Sequence, residues 1–214
     1  MLTTPNPRLT RRSLAQAVRT LVERDAAVAR SVERFGVPPM WAREPSFATL
    51  VHLILEQQVS LASALAAFGR LRVALGEVTP EAFLGLDDGS LRGIGFSRQK
   101  AGYARDLALA MLDGFDLAAL ERRPDDEVRR ELTRLRGIGR WTADVYLTMC
   151  LLRPDVWPSG DLALAIGVQE VLELRGRPTG DELDVIAERW RPLRAVAARI
   201  VWHHYLGLRG RPAT

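Results

Sequence analysis

The chain has 214 residues, 47% of them hydrophobic and 26% charged, enough for one domain or two small ones with buried cores. No stretch reaches the ~18 consecutive apolar residues of a membrane span, the opening segment from Met1 to Pro7 lacks the charged-then-apolar layout of a secretory signal, and the lone Cys150 excludes internal disulfides, zinc clusters of several thiolates and four-cysteine iron–sulfur clusters. A cytoplasmic location is the expectation. The formal net charge is +4, and of 30 basic residues only Lys100 is a lysine, leaving 29 arginines. Arginine is a permanent cation whose planar fork suits phosphate, which points to a nucleic-acid partner; a genome rich in arginine codons accounts for the same bias without one. Any Schiff-base chemistry has to use Lys100 or the chain terminus.

Caps and apolar spacing predict helices almost from end to end. Thr10 is expected to cap a helix that runs to Phe35 and stops at Gly36 and Pro38. Ser46 caps a second, to Gln57, with Leu50, Val51, Ile54 and Leu55 at helical spacing. Ser60 starts a third that ends near Gly76, and Thr79-Pro80 opens a short one. Further helices are expected from Ser97 to Leu112, from Pro124-Asp125 to Leu135, and from Trp141 to Leu152. The last three run from Asp161 to Leu174, from Asp181 to Trp190, and from Pro192 to Leu206. The sum is roughly ten helices with short connections, the pattern of a packed all-α protein. One pentapeptide occurs twice: Leu91-Arg92-Gly93-Ile94-Gly95 returns as Leu135-Arg136-Gly137-Ile138-Gly139. With only two copies and different flanks, these read as two tight turns between helices and not as a repeat array.

The second copy continues as Arg140-Trp141-Thr142-Ala143. Gly137 and Gly139 allow positive φ and close approach of a ligand to the backbone. Ile138 is expected to tuck inward and pin the turn. The helix that follows offers unpaired N–H groups and a positive dipole end to a phosphate, with Thr142 able to add a hydroxyl. Asp161 follows Pro158-Ser159-Gly160 and opens an apolar helix. Such an Asp serves as an N-cap, as a carboxylate whose charge the helix dipole complements, or as both.

The string L-R-G-I-G-R-W-T-A resembles the helix–hairpin–helix of the DNA glycosylase superfamily, in particular its alkylation-repair branch, the 3-methyladenine DNA glycosylases of type II. Three more segments agree in order: Phe47 to Ser60 is similar to the branch's F-x-x-L-V-x-x-I-L-x-Q-Q-V-S helix, Gly95 to Ala101 to its G-x-S-x-x-K-A turn, and Trp157 to Leu164 to its approach to the catalytic aspartate. The match spans about residues 40–207. It implies an all-α fold of two helical subdomains with an active cleft between them and no N-terminal β-domain. One subdomain would comprise residues 41–155 with the hairpin, the other residues 1–40 plus 156–214 with the catalytic Asp.

The resemblance assigns Asp161 as the catalytic carboxylate, suited to stabilise an oxocarbenium-like sugar and to orient or deprotonate water. It makes Trp141 and Trp202 walls of a base pocket, where an electron-rich face attracts a cationic alkylpurine. Gly137, Ile138, Gly139, Arg140 and Thr142 form the DNA-binding hairpin. Gln58 aligns with the wedge that fills the space left by the flipped nucleotide; its alternative is a helix-terminal amide capping nearby backbone. Main-chain carbonyls of Thr133, Leu135 and Ile138 align with a monovalent cation site.

Bifunctional relatives carry a lysine at the hairpin where Trp141 stands here, so a monofunctional enzyme without strand nicking is expected. No organic cofactor and no iron–sulfur cluster is expected either. The implied partner is double-stranded DNA with damaged bases, bound by a monomer associated with the nucleoid. Val145 stands where some relatives have another pocket aromatic, which leaves the range of lesions open; Trp41 and Phe47 are read either as another wall or as core. Glu56 is read as a solvated turn residue. His203 and His204 point about 100° apart on a helix, which disfavours a shared metal, although either could approach DNA or the pocket. Alternatives to alkylpurine excision are the same fold acting on hypoxanthine or etheno adducts, or a non-catalytic DNA-damage binding protein.

Overall fold

A computed structural model describes residues 7–211; most of the opening segment read for a secretory signal lies outside them. Among the described residues there are twelve α-helices, two short 3-10 helices and no strand. The helices are α1 (Arg11–Arg24), α2 (Ala26–Phe35), α3 (Phe47–Glu56), α4 (Leu61–Leu75), α5 (Pro80–Leu84), α6 (Asp88–Ile94), α7 (Arg98–Leu112), α8 (Asp125–Thr133), α9 (Arg140–Met149), α10 (Leu162–Val171), α11 (Gly180–Ala187) and α12 (Arg194–Leu208). No helix of the described residues is long and apolar enough to cross a membrane. The chain divides into two compact units, Met1–Ala42 with Leu147–Thr214, and Arg43–Tyr146.

Two expectations about elements are corrected. The single helix expected from Thr10 to Phe35 is broken at Asp25, whose backbone is extended (φ −141°, ψ 108°) and whose carboxylate caps α2 by accepting from Ala27 and Val28 N–H. The same carboxylate accepts from Trp190 Nε1 at 3.0 Å and pairs with Arg189 at 3.0 Å. These distant partners reward a break that the local apolar rhythm does not signal. The second correction is the first copy of the pentapeptide, expected as a turn, which is helical through Ile94.

In the unit holding both termini, α12 packs against α1, α2 and α10. Leu14, Val18, Leu21, Leu164, Val168, Ile200 and Val201 form its core, each such burial worth roughly 1.5–3 kcal/mol. Gly167 allows α10 to lie close on α12, since a Cβ there would stand 2.6 Å from Val201 Cγ1 and 2.9 Å from its carbonyl oxygen. Arg199 crosses this core with no exposed surface. Its guanidinium donates to the carbonyls of Met40, Thr148 and Ala195. Burial pulls its pKa down to about 10, so it stays cationic at neutral pH and fastens three chain segments.

In the other unit α3 is buried on nearly every side: Phe47, Leu50, Val51, Leu53, Ile54 and Leu55 are all core, packed on α4 and α7. Lys100 donates from Nζ to the carbonyls of Leu55 and Gln57, both at 2.7 Å. A cation on the last carbonyls of a helix meets both orphan acceptors and the negative dipole end. The chain's only lysine is therefore a fastener for the turn that follows α3.

Candidate active site and nucleic-acid interface

The approach to Asp161 is a tight turn, with Ser159 N–H donating to the Trp157 carbonyl and Asp161 N–H to the Pro158 carbonyl. Trp157 is buried against Trp190, ring centroids 5.3 Å apart. Asp161 then caps α10, its Oδ1 accepting from Leu164 N–H at 2.7 Å. Trp202 of α12 donates its indole Nε1–H to the same oxygen at 3.2 Å. The carboxylate is thus half-buried and held in one orientation by a helix end and by one of the tryptophans that sequence reasoning singled out. Its capping role is realised, and the Trp202 indole lies beside it.

Trp41, left open by the sequence, stands edge-on to Trp202 with centroids 6.5 Å apart and planes at 76°, and to His203 at 6.2 Å. Phe47 is core, 4% exposed and packed on Phe83. His204 turns inward, its Nδ1 3.0 Å from Ser31 Oγ and its ring edge-on to Phe35; burial lowers its pKa. The approach to DNA considered for His204 does not fit that environment. Among the described residues no group of three or more His, Cys, Asp or Glu side chains could hold a metal.

The hairpin lies between α8 and α9. Gly137 is left-handed (φ +84°), and a Cβ there would stand 2.1 Å from the ring of Tyr103. Its carbonyl accepts from Gln57 Nε2 at 2.8 Å, and the same amide donates to Thr142 Oγ1 at 3.1 Å. Thr142 is only 1% exposed. Its hydroxyl serves this internal bond, which corrects the expectation that it is offered to a phosphate.

Ile138 is buried. Gly139 has no positive φ, and a Cβ there would meet nothing within 4 Å. The freedom expected of both glycines is thus needed only at Gly137, and open space lies over Gly139.

Arg140 is 69% exposed on its side chain and reaches the buried Asp144 carboxylate at 3.5 Å. Arg129 of α8 donates to the other oxygen of Asp144 at 2.6 Å. Burial pushes the Asp144 carboxyl above its ordinary range, opposed by the two arginines. Trp141 sits in the first turn of α9, and Val145 is buried.

Gln58 is an exposed residue in the left-handed region (φ +56°), a strained position for a non-glycine side chain. Glu56 corrects the reading of a solvated residue. Its side chain is 6% exposed and forms a two-pronged pair with Arg43 at 2.8 and 3.1 Å. His52 Nε2 lies 3.5 Å from it, stacked on Phe68. Gln57, Tyr103, Asp144 and Arg199 were not found by sequence reasoning. The partners that place them in the structure include ones about 15 to 159 positions away, and no local pattern signals such distant pairs.

Residues 51–192 match the family described as HhH-GPD superfamily base excision DNA repair protein. The chain belongs to that superfamily. It is 30% identical over 168 residues to DNA-3-methyladenine glycosylase 1 of Schizosaccharomyces pombe, covering 76% of this chain and 73% of the relative. It is 27% identical over 180 residues to a DNA-3-methyladenine glycosylase of Bacillus subtilis, covering 78% of this chain and 57% of that one. The chain thus spans between half and three quarters of the length of these relatives. Among solved structures, the S. pombe 3-methyladenine DNA glycosylase in complex with abasic DNA superimposes with a TM-score of 0.82 at 29% identity, covering 87% of this chain and 95% of that one.

Proposed function

We propose that this protein is a monofunctional DNA glycosylase that excises alkylated purines from double-stranded DNA, with Asp161 as the catalytic residue. The observation that carries the reading is the shared grip on Asp161 Oδ1 by Leu164 N–H and Trp202 Nε1–H. It orients a carboxylate beside an aromatic surface, as base excision requires. The names of the relatives support the substrate class.

A base inside a duplex is unreachable, so the nucleotide first turns out of the stack. In the reaction the C1′–N bond breaks and its electron pair leaves with the purine. An N3- or N7-alkylated purine is already cationic and departs neutral, without prior protonation. The Asp161 carboxylate stabilises the positive sugar; water forms the new C1′–O bond and gives its proton to that carboxylate. The backbone around Gly139 and the Arg140 guanidinium, oriented by Asp144, meet the phosphates. Gln58, already projecting from its turn, fills the vacated space.

The absence of strand nicking rests on lysine. Lys100 is engaged by two carbonyls of the α3 turn, and Trp141 occupies the hairpin position of the bifunctional branch. A monovalent cation on the carbonyls of Thr133, Leu135 and Ile138 fits the donor supply. Helix α8 ends at Thr133, leaving last-turn carbonyls without intrahelical donors. Leu135, which accepts from Ile138 N–H at 3.0 Å, keeps a second lone pair. Such an ion would supply positive charge for a phosphate.

The test is mass-spectrometric identification of bases released from methylated genomic DNA by wild type and Asp161→Asn. Release of methylated purines by wild type, lost by at least about a hundredfold in the variant while abasic-site DNA is still bound, is the expected result. Equal release by both proteins would remove Asp161 from its role. Borohydride trapping is expected to yield no covalent protein–DNA adduct.

A further inference from the structure

Five tryptophans are present, and two of them, Trp157 and Trp190, are core residues packed on each other. Trp41 behaves differently. Its ring is half-buried, although an indole serving only as packing gains most from full burial. Its backbone has φ +47°, a conformation that costs a bulky side chain free energy and persists only where its surroundings impose it.

The surroundings are identifiable. The carbonyl of the preceding residue, Met40, accepts from Arg199 Nε at 3.1 Å, and Arg199 is fully buried. The same guanidinium holds Ala195 and Thr148, so the strained segment is tied to the helix that carries Trp202. The outcome is a corner of two indoles at 76°, one of which donates to the Asp161 carboxylate.

We propose that Trp41 is a wall of the damaged-base pocket and a specificity determinant, its indole face meeting the positively charged purine that Asp161 releases. The inference rests on the glycosylase reading and deepens it. A flat cationic ring held at the Asp161 carboxylate would lie next to this pair of indoles, since Trp202 touches both Asp161 and Trp41. An electron-rich face prefers a cationic ring over a neutral one of the same shape. Arg199 acts as the positioning residue of Trp41 through the Met40 carbonyl.

The test uses a duplex carrying 2′-fluorinated 7-methylguanine, whose glycosidic bond resists cleavage, and the same duplex with unmodified guanine. Wild type, Trp41→Phe, Trp41→Leu and Trp41→Gly are compared for affinity to both, with thermal midpoints measured in parallel. The glycine variant suits the positive φ and so guards against loss of folding. Trp41→Leu and Trp41→Gly are expected to lose about tenfold of the preference for the lesion duplex, and Trp41→Phe to retain most of it. In cleavable DNA, their release of 7-methylguanine falls relative to release of neutral hypoxanthine, a ratio that a packing role would not move. Wild-type discrimination in the leucine and glycine variants would overturn the proposal, as would a wild type with no preference for the lesion. A wild type that prefers the lesion duplex but frees no base would sink the enzymatic reading while the variants still decide Trp41.

Discussion

The pentapeptide L-R-G-I-G takes two conformations in this chain. In the first copy, Leu91 to Ile94 finish α6, and Gly95 ends it in the left-handed region at φ +113°. Gly95 and Phe96 N–H both return to the Leu91 carbonyl, and the buried Phe96 seals the end. Arg70 then covers the turn: its Nε donates to the Ile94 carbonyl at 2.8 Å, and its Nη2 lies 2.8 Å from where a Gly95 Cβ would be. In the second copy it is Gly137, the earlier glycine, that is left-handed, pressed on Tyr103 and bonded by Gln57, while the space over Gly139 stays open. One turn is closed by a protein guanidinium. The other leaves its backbone to be met from outside. Identical residues thus yield a structural cap in one place and a candidate phosphate seat in the other, because their neighbours differ.

The sharpest way to break this contrast is Gly137→Ala. The methyl would enter the Tyr103 ring, with Cγ at 2.1 Å, at a positive φ. A loss of about 3 kcal/mol or more, or failure to fold, is expected in chemical denaturation. Gly95→Ala meets the far end of the flexible Arg70 side chain at 2.8 Å and Ala67 Cβ at 3.4 Å, so about 1–2 kcal/mol is expected, with duplex affinity unchanged. Gln57→Ala removes two bonds that tie the α3 turn to the hairpin. A loss of about 1–2 kcal/mol is expected, along with weaker DNA binding that Arg70→Ala should not share. Gly139→Ala sharpens the comparison most finely. It should change the thermal midpoint by less than about 2 °C yet lower affinity for undamaged duplex several-fold in a fluorescence anisotropy titration. An unaltered affinity there would remove the open backbone from the interface.

Much of the fold was legible in local pattern. Ser46, Ser60, Thr79 and Ser97 cap the helices assigned to them, because a side-chain oxygen two or three residues before an N–H acts within one turn. The break at Asp25 was not legible, since an Asp inside an amphipathic run looks like a solvent-facing residue until Trp190 and Arg189 come to it. Glu56 was misread for a related reason. Burial of a carboxylate depends on a partner, here Arg43, and spacing within α3 does not reveal which arginine turns toward it.

For the candidate site, Asp161 as a helix cap and the glycine hairpin were legible locally, because capping, dipole and chain reversal are short-range physics carried by a few adjacent residues. Trp202 and the catalytic role of Asp161 came only with the family resemblance. Which oxygen of Asp161 receives the Trp202 N–H, which glycine turns left-handed, and whether Thr142 faces ligand or Gln57 were decided only when distant helices packed. The same holds for Trp41, whose strained backbone depends on a buried arginine 158 positions later in the chain. Long-range hydrogen bonds and ring contacts cost chain entropy that only a formed core offsets, and so they belong to the tertiary structure and leave no periodic mark in the sequence.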